Sequence, residues 1–371
     1  MIAQDALDTR LPVMVTHMDA SKLPKVCVGL PVYNGAPHIA QSVASLLEQD
    51  YPHFELIISD NASTDNTLEI CQAYAERDSR VRIFRNEANI GSARNFNRVF
   101  ELASGKYFMW AAHDDRWAPT YITRCVDLME RNDECVLCGS NIEFIDENGN
   151  PTERVGGYNR VHTASMELRE RVDFLTRQMG WYCFYGLIRA DALRKTRLFP
   201  ATFGGDVVLL MELLFQGQFI ILEEKLFTYR LVSKSVARYI QEIAGSYESH
   251  PPAPFTQLAR DLLDVIIRSR SGLEAKQAMC DDLLENLTHR NVEWKGAVVH
   301  ENPDLRNISP LLLPVEMKAV LVPALPLKAL EVLRKAAVNR LAVKRLWFDL
   351  RRRFNRHIGW RLGRKASSGS H

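Results

Sequence analysis

The feature that most restricts the fold is a regular alternation of short apolar runs with helix-like segments over residues 25–131. The runs are too short to be helices and are rich in β-branched and aromatic residues, which is typical of strands buried on both faces. Between them, apolar residues recur at helical spacing, as at Ile39, Val43, Leu46 and Leu47. Strand–helix alternation with short connections predicts an α/β fold with a mainly parallel sheet flanked by helices.

Acidic residues follow the predicted strands at the points where the strands end. One strand ends in Asp60, and the run that ends at Ala112 is followed directly by His113, Asp114 and Asp115. Ligands in open α/β sheets bind at this carboxyl edge. Adjacent carboxylates repel each other, and a divalent cation that carries a nucleotide diphosphate would relieve the repulsion. The alternative is a polar turn in which Asp115 or a neighbour caps the next helix.

Composition and cysteine usage indicate an ordinary globular chain. The 371 residues are 46% hydrophobic and 25% charged, and the length suggests two domains or one domain with an appendage. Seven cysteines without a framework spacing predict a reduced, cytoplasmic protein. Cys135 and Cys138 lie in an apolar run, so we expect buried thiols rather than metal ligands. We expect no signal peptide and no transmembrane helix.

The net charge of +2 is unevenly distributed. Residues 328–365 contain thirteen Lys/Arg and two acidic residues, a net +11, which leaves −9 for the rest of the chain. Trp347, Phe348, Phe354 and Trp360 lie among these basic residues. This composition favours peripheral binding to an anionic membrane surface, and the alternative is a helix packed on the acidic body. No nucleic-acid-reading module is recognisable, so nucleic acid is not an expected partner.

Four motifs in a fixed order resemble glycosyltransferase family 2, and the similarity extends over roughly residues 26–235. The motifs are Val28–Asn34, Ile58–Thr67, Asn89–Asn95 and His113–Asp115. The resemblance implies a GT-A fold, which is Rossmann-like with a mainly parallel central sheet, here with a helical C-terminal extension. It also implies an inverting, metal-assisted transferase that uses a nucleotide-diphospho-sugar as donor.

The motifs and the helical pattern suggest a division of the chain. Residues 25–238 would form the GT-A catalytic domain, with a nucleotide-binding half over about residues 25–118 and an acceptor half over about residues 119–238. The remainder would be an N-terminal arm of residues 1–24, a helical C-terminal region of residues 239–365 with the basic tail, and a flexible end of residues 366–371.

Carried over by position, the resemblance implies a nucleobase pocket in the first half. Pro31, Tyr33 and Asn34 would shape it. Asp60 would accept a hydrogen bond from the imide N–H of uracil or thymine, because an ionised carboxylate only accepts.

The resemblance also implies a diphosphate and metal site. Arg94 would approach the base or the diphosphate, and Asp114 would lie near the ribose or the donor sugar. Asp115 would bind the Mn²⁺ or Mg²⁺ that bridges the two phosphates. His113 stands where the family often has an acidic residue, and its imidazole could bind a metal such as manganese or donate a hydrogen bond.

Asp206 is the candidate catalytic base. It follows a glycine pair and begins the pattern Asp-x-x-Leu-x-x-x-Leu, where the family places the carboxylate that takes the acceptor hydroxyl's proton. The alternative role is a helix N-cap. Trp181 and Tyr182, in an aromatic segment, are the candidate acceptor contacts, although aromatic rings pack equally well in a core.

The segment after Tyr229 departs from the family pattern Tyr-Arg-x-His-x-x-Ser. Val232 occupies the position of the histidine, which is often a metal ligand or phosphate contact, so the composition of the metal shell stays open. Arg230 would help to neutralise the diphosphate, or it would be a structural ion-pair partner.

These observations predict an inverting glycosyltransferase that moves a sugar from a UDP- or dTDP-sugar to a hydroxyl of a glycan or lipid-linked acceptor in cell-surface polysaccharide synthesis. Two alternatives remain. A non-catalytic nucleotide-sugar-binding protein would fit His113 and Val232. A nucleotidyltransferase would be expected to carry a Gly-rich, basic loop after the first strand, where this sequence has Pro31–Gly35.

We expect a chain that ends at Leu327 to lose binding to anionic vesicles while it retains nucleotide binding. Each Lys or Arg near an anionic leaflet contributes about 1 kcal/mol, and salt screens the attraction. Co-sedimentation with anionic and neutral vesicles at low salt measures the difference. Indifference of the full chain to anionic vesicles, or unfolding of the shortened chain, would make the tail a structural helix.

Overall fold

The computed structural model describes residues 22–152, 161–177, 182–232, 254–287 and 292–302. The predicted arm to residue 21, Trp181, the basic tail and the flexible end lie outside the described residues. The described part of the chain is built around an eight-stranded mixed sheet with helices on both faces.

The sheet is parallel in its first half and mixed in its second. Its strands are β1 Val26–Val32, β2 Phe54–Asp60, β3 Val81–Arg85, β4 Tyr107–Trp110, β5 Arg116–Trp117, β6 Cys135–Ile145, β7 Leu187–Arg189 and β8 Gln218–Arg230. Their order is β3-β2-β1-β4-β7-β6-β8-β5. The first four strands are parallel to one another, β7 is antiparallel to β4 and β6, β8 is parallel to β6, and β5 is antiparallel to β8.

The helices form two layers. They are α1 Ile39–Leu47, α2 Thr67–Ala75, α3 Ser92–Glu101, α4 Tyr121–Arg131, α5 Leu168–Arg177, α6 Ala190–Leu193, α7 Gly205–Leu214, α8 Pro254–Arg268, α9 Leu273–Glu285 and α10 Val292–Glu301. Helices α1, α2 and α4 contribute to the core on one face of the sheet, and α3, α5, α7, α8 and α9 contribute to the core on the other. The predicted α/β class and the helical C-terminal extension are confirmed.

Strand β1 shows why the nucleotide half folds as predicted. All of its residues are buried, and side chains alternate between the two cores: Val26 and Val28 enter one, and Cys27 enters the other. Gly29 lies where helix α3 and strand β4 press closest to β1. A Cβ atom there would lie 2.6 Å from Cζ of Phe108 and 2.7 Å from Cγ2 of Val99.

The C-terminal helices pack directly on the segment that leads into α7. Gly204 adopts a left-handed φ of 68°, and a Cβ atom there would lie 2.5 Å from Cδ2 of Leu258 in α8. The Thr202 hydroxyl donates to Asp261 of α8 at 3.1 Å. These contacts fix the turn before α7 against α8.

Several expectations can be compared with the structure. Asp115 does not cap the next helix, because α4 begins at Tyr121 and Thr120 is its N-cap. All seven cysteines are free and buried, as expected for Cys135 and Cys138. Strand β8 is continuous from Gln218 to Arg230, and its backbone pairs with β6 across register shifts. Among the described residues, no helix is long and apolar enough to cross a membrane.

Gly29→Ala should lower the free energy of unfolding by about 1–3 kcal/mol, because the methyl group overpacks the junction of β1, β4 and α3. Chemical denaturation measures the change. Gly296→Ala is the matched control: a Cβ atom there meets nothing within 4 Å, and alanine favours the helix. Equal stability of the two variants would show that the junction has room to adjust.

Candidate active site

Asp60 ends strand β2 in a fully buried position at the carboxyl edge of the sheet. Both of its carboxylate oxygens accept long hydrogen bonds of 3.3 Å from the backbone N–H of Ser63. Nε of Arg85 lies 3.5 Å from Oδ2 of Asp60. These partners compensate part of the cost of burial and leave acceptor capacity on the carboxylate. An N–H donor of a ligand is therefore the expected partner.

The loop after β1 is held by the loop after β2. Asn34 has a φ of 53°, and its side-chain oxygen accepts a 2.8 Å hydrogen bond from the N–H of Thr64. The N–H of Asn34 donates to Oγ of Ser63 at 2.9 Å. Tyr33 remains 44% exposed, and Pro31 pairs in register with β2. The structure thus brings the predicted nucleobase residues to one edge of the sheet, beside Asp60.

A buried asparagine network supports this edge, and sequence reasoning missed it. The side-chain oxygen of Asn61 accepts hydrogen bonds from Asn86 at 2.8 Å and from the N–H of Ile90 at 3.0 Å. The side-chain oxygen of Asn95 accepts from Asn86 at 3.0 Å and from the Ser59 hydroxyl at 2.7 Å. Asn61 and Asn95 belong to the recognised motifs, but only the folded chain shows that they share a partner.

Arg94 lies beyond this network. It stands in the first turn of α3, which follows Gly91 at a φ of 83°, and its side chain is exposed. The asparagine network fixes the loop that precedes α3, so it also fixes the backbone position of Arg94. The predicted contact with the base or the diphosphate stays a prediction.

Asp115 carries the least satisfied carboxylate of the described edge. It is 1% exposed, and its Oδ1 accepts a 2.9 Å hydrogen bond from the N–H of Arg230. Its Oδ2 is buried and has no hydrogen-bond partner among the described residues. Burial, followed by repulsion from Asp114, raises the pKa of Asp115 well above its usual range. Such an oxygen fits either a proton or a cation.

The residues fit a shared metal site rather than a complete protein cage. Mn²⁺ or Mg²⁺ takes one or two carboxylates and completes its shell with water and phosphate oxygens. Within the described ranges, no group of three or more His, Cys, Asp or Glu could hold a metal ion. The unpartnered Oδ2 of Asp115 suits one ligand position, and a bound diphosphate would have to supply others.

His113 packs against the loop after β1, since a Cβ atom at Gly35 would lie 2.8 Å from its ring. His38, which precedes α1, is a second imidazole that sequence reasoning missed. Burial, followed by the charge of Arg230, lowers the pKa of His38, while Asp114 acts in the opposite direction and His113 lowers it further. Arg230, Asp114 and His113 therefore all lie within electrostatic range of His38. The predicted metal role of His113 stays a prediction.

Arg230 is buried and its guanidinium is occupied by the protein. It donates to the carbonyl oxygens of Asp114 at 3.1 Å, Glu147 at 3.1 Å and Asp146 at 3.3 Å, and to the side chain of Gln41 at 3.3 Å. These bonds tie the Asp114 turn to the end of β8 and to α1. The predicted contact with the diphosphate would compete with them, and it stays a prediction.

Asp206 lies in the first turn of α7 and is not its N-cap, a position held by Gly204. Burial raises its pKa to about 6, against the lowering effect of the N–H groups of Val207 and Asp206 itself. Its carboxylate also raises the pKa of the Cys183 thiol, after burial. Asp206 therefore lies next to the 3₁₀ turn Tyr182–Tyr185.

Tyr182, the predicted acceptor contact within the described residues, opens that turn. Its ring centroid lies 4.6 Å from that of Tyr229 and 5.4 Å from that of Phe144. Val232, which replaces the family histidine, is 37% exposed just beyond the end of β8. Tyr182 thus belongs to a turn within electrostatic range of Asp206, and its contact with an acceptor stays a prediction.

The strand order and the flanking helices are those expected of a GT-A domain, and the family comparison agrees. Residues 27–194 match the model of the family described as Glycosyl transferase family 2. The resemblance to this family, which the four motifs predicted, is confirmed over this part of the chain.

Relatives and solved structures extend the comparison. TuaG of Bacillus subtilis (strain 168), whose name places it in teichuronic acid biosynthesis, is 33% identical over 132 residues, which are 35% of this chain and 52% of TuaG. The chain spans about half the length of the curated relatives it matches.

Two solved structures share the fold. Staphylococcus aureus TarS in complex with UDP-GlcNAc superposes with a TM-score of 0.58 at 16% identity, over 80% of this chain and 84% of that one. The mannosyltransferase PcManGT from Pyrobaculum calidifontis, in complex with GDP-Man and Mn²⁺, superposes with a TM-score of 0.50 at 17% identity, over 91% and 86%. The predicted GT-A fold is confirmed.

Asp115→Ala should remove most of the effect of Mn²⁺ on UDP affinity, with a loss of about tenfold or more. The reason is that Oδ2 of Asp115 is the unpartnered ligand candidate. Calorimetric titration of UDP with and without Mn²⁺ measures the effect. Asp133→Ala, at a fully exposed carboxylate, is the control. Undiminished Mn²⁺ dependence in the Asp115 variant would take this residue out of the metal shell.

Proposed function

We propose that this chain is an inverting glycosyltransferase that moves a sugar from a UDP- or dTDP-sugar to a hydroxyl of a glycan or lipid-linked acceptor in cell-surface polysaccharide synthesis. One observation carries the proposal: two carboxylates with different environments lie within electrostatic range of one side chain. Asp115 and Asp206 both raise the pKa of the Tyr229 phenol, which burial raises first. The unpartnered carboxylate of Asp115 and the basic carboxylate of Asp206 are thus within electrostatic range of one point.

The nucleotide half supports a pyrimidine donor. Asp60 is a buried acceptor at the carboxyl edge, next to the exposed ring of Tyr33. The imide N–H of uracil or thymine would satisfy this carboxylate, and the tyrosine ring offers a face for the base. Residues 25–118 would then hold the nucleotide and residues 119–238 the acceptor.

The reaction needs a base on the acceptor side, and Asp206 suits that role. Its carboxylate would take the proton of the acceptor hydroxyl while the hydroxyl oxygen attacks the anomeric carbon. The bond from the anomeric carbon to the diphosphate oxygen breaks, the nucleoside diphosphate leaves with the electron pair, and the configuration inverts. A pKa of about 6 keeps Asp206 ionised at neutral pH yet more basic than an exposed aspartate.

A divalent cation bound at Asp115 would offset the charge of the leaving diphosphate. Arg94 and the imidazoles of His113 and His38 would line the same side of the site. In the absence of the family histidine at position 232, a diphosphate would supply a larger part of the metal shell.

The comparisons support the substrate class. TarS is described with UDP-GlcNAc, PcManGT is described with GDP-Man and Mn²⁺, and the name of TuaG refers to a cell-surface polymer. A location at the inner face of a membrane, reached through the basic tail, would bring the site to a lipid-linked acceptor.

Donor hydrolysis and thermal-shift screening of UDP-, dTDP- and GDP-sugars with Mn²⁺ and Mg²⁺ tests the proposal. We expect a UDP- or dTDP-sugar to stabilise the protein most and to be hydrolysed slowly without acceptor. Stabilisation by a nucleotide-sugar without turnover, with or without candidate acceptors, would instead support a non-catalytic binding protein. Preference for GDP-sugars would refute the assignment of Asp60 to a pyrimidine.

Asp206→Asn should lower turnover by about 10²- to 10⁴-fold and leave donor affinity nearly unchanged, because the amide cannot take the acceptor proton. The wild-type rate should fall as the pH drops through about 6, where the Asp206 carboxylate becomes protonated. The variant should lack this acid limb. Steady-state kinetics across pH measures both effects, with Asp191→Asn on the surface as control. Near-wild-type turnover would leave Asp206 with a structural role only.

A further inference from the structure

Tyr229 occupies a position in β8 that connects the two sides of the site. It pairs in register with Phe144 of β6, and its ring lies 4.6 Å from that of Tyr182, at an interplanar angle of 65°. The Phe144 ring lies 6.1 Å away. These aromatic neighbours hold the Tyr229 ring in place from the acceptor half.

The backbone on both sides of Tyr229 holds the turn that contains Asp114 and Asp115. The next residue, Arg230, donates its N–H to Oδ1 of Asp115 at 2.9 Å and its Nε–H to the carbonyl oxygen of Asp114 at 3.1 Å. The preceding residue, Thr228, pairs with Arg116 of β5. The turn that contains both carboxylates is therefore anchored on each side of Tyr229.

Tyr182, the ring partner of Tyr229, belongs to a turn within electrostatic range of Asp206, the proposed base. Tyr182 opens the turn whose next residue, Cys183, experiences the charge of Asp206. The ring pair Tyr182–Tyr229 thus connects a turn within electrostatic range of Asp206 to the end of β8, where the Arg230 N–H binds Asp115. An in-line transfer requires the donor sugar to lie between the diphosphate and the base, so this ring pair is a candidate contact for the sugar.

The Tyr229 hydroxyl is available to a ligand. It makes no hydrogen bond to any other residue within the described ranges, and the residue is only half-buried. A phenol keeps its proton at neutral pH, so the hydroxyl can donate as well as accept. A half-buried hydroxyl without a hydrogen-bond partner in the described part of the chain is suited to a polar ligand group.

We propose that the Tyr229 hydroxyl hydrogen-bonds a hydroxyl of the transferred sugar, and that Tyr229 is a specificity-determining contact for the donor sugar. The inference rests on the proposed function and adds to it a residue for the sugar itself. Sugar hydroxyls both donate and accept, so they match a phenol, and the C–H face of a pyranose fits the adjacent Tyr182 ring. The nucleotide, which is bound from β1 and β2, would not depend on this contact.

Tyr229→Phe tests the inference, because it keeps the ring pair and removes only the hydroxyl. Calorimetry would measure the affinity for UDP and for UDP-N-acetylglucosamine, or for the UDP-sugar that the wild type hydrolyses best. We expect unchanged affinity for UDP and a loss of about three- to tenfold for the UDP-sugar, as for one hydrogen bond. The kcat/KM for donor hydrolysis should fall by at least the same factor.

Tyr74→Phe is the matched control, since its hydroxyl donates to the carbonyl oxygen of Ala40 in another part of the fold. It should leave the ratio of the two affinities unchanged. Thermal unfolding checks that both variants fold.

The outcomes separate the two proposals. A Tyr229 variant that binds and hydrolyses the UDP-sugar like the wild type refutes the contact and leaves the proposed function intact. An equal loss of affinity for UDP and the UDP-sugar also refutes it, because the hydroxyl would then act on the nucleotide or on the fold. A wild type that binds no nucleotide-sugar refutes the proposed function and this inference with it.

Discussion

The hydrogen bond from the Arg230 N–H to the Asp115 carboxylate is the interaction on which the arrangement of the site depends. Asp115 follows β4, the last strand of the parallel half, and Arg230 ends β8 in the mixed half. The bond therefore joins the two halves of the sheet where ligands are expected. Because the bond occupies only one carboxylate oxygen, the other oxygen is buried without a hydrogen-bond partner among the described residues, and it is this oxygen that the proposed cation would occupy.

The surroundings of the two main carboxylates differ in a way that fits the different roles proposed for them. Asp115 is fully enclosed, next to the like charge of Asp114, and is suited to a cation or a proton. Asp206 stands alone at a helix start, where burial makes it more basic and two backbone N–H groups keep it ionisable near neutrality. Enzymes often give two carboxylates different roles by placing them in environments that shift their pKa values differently.

Much of the nucleotide half could be predicted from the sequence, because the apolar strands and the acidic residues near their ends are both local features of the chain. Buried strands such as β1 are readable as apolar runs, Asp60 is the last residue of its strand, and Asp115 follows its strand by a few positions. The antiparallel strand β7 was not predictable, since three residues carry no signal for strand direction.

The contacts between segments that are distant in the chain could not be predicted from the sequence either. Asn86 bridges Asn61 and Asn95, and His38 lies within electrostatic range of His113 and Arg230, but neither arrangement follows from spacing along the chain. Asp206 was identified through the family pattern, and its half-buried setting, which determines its basicity, required the packing of α7. The sequence pattern thus locates these side chains along the chain, whereas tertiary packing determines their neighbours and their pKa values.

The contact of Gly204 with Leu258 has a consequence for how such domains diversify. The turn that presents Asp206 rests on α8, which lies beyond the catalytic domain as drawn at residue 238. A change in the C-terminal helices would therefore alter the conformation of the turn before α7 without any substitution in the family motifs. Relatives that share the nucleotide half but carry different C-terminal regions could thus adapt the same carboxylate to acceptors of different shape. The C-terminal helices therefore help to position the start of α7, although they lie beyond the domain boundary expected at residue 238.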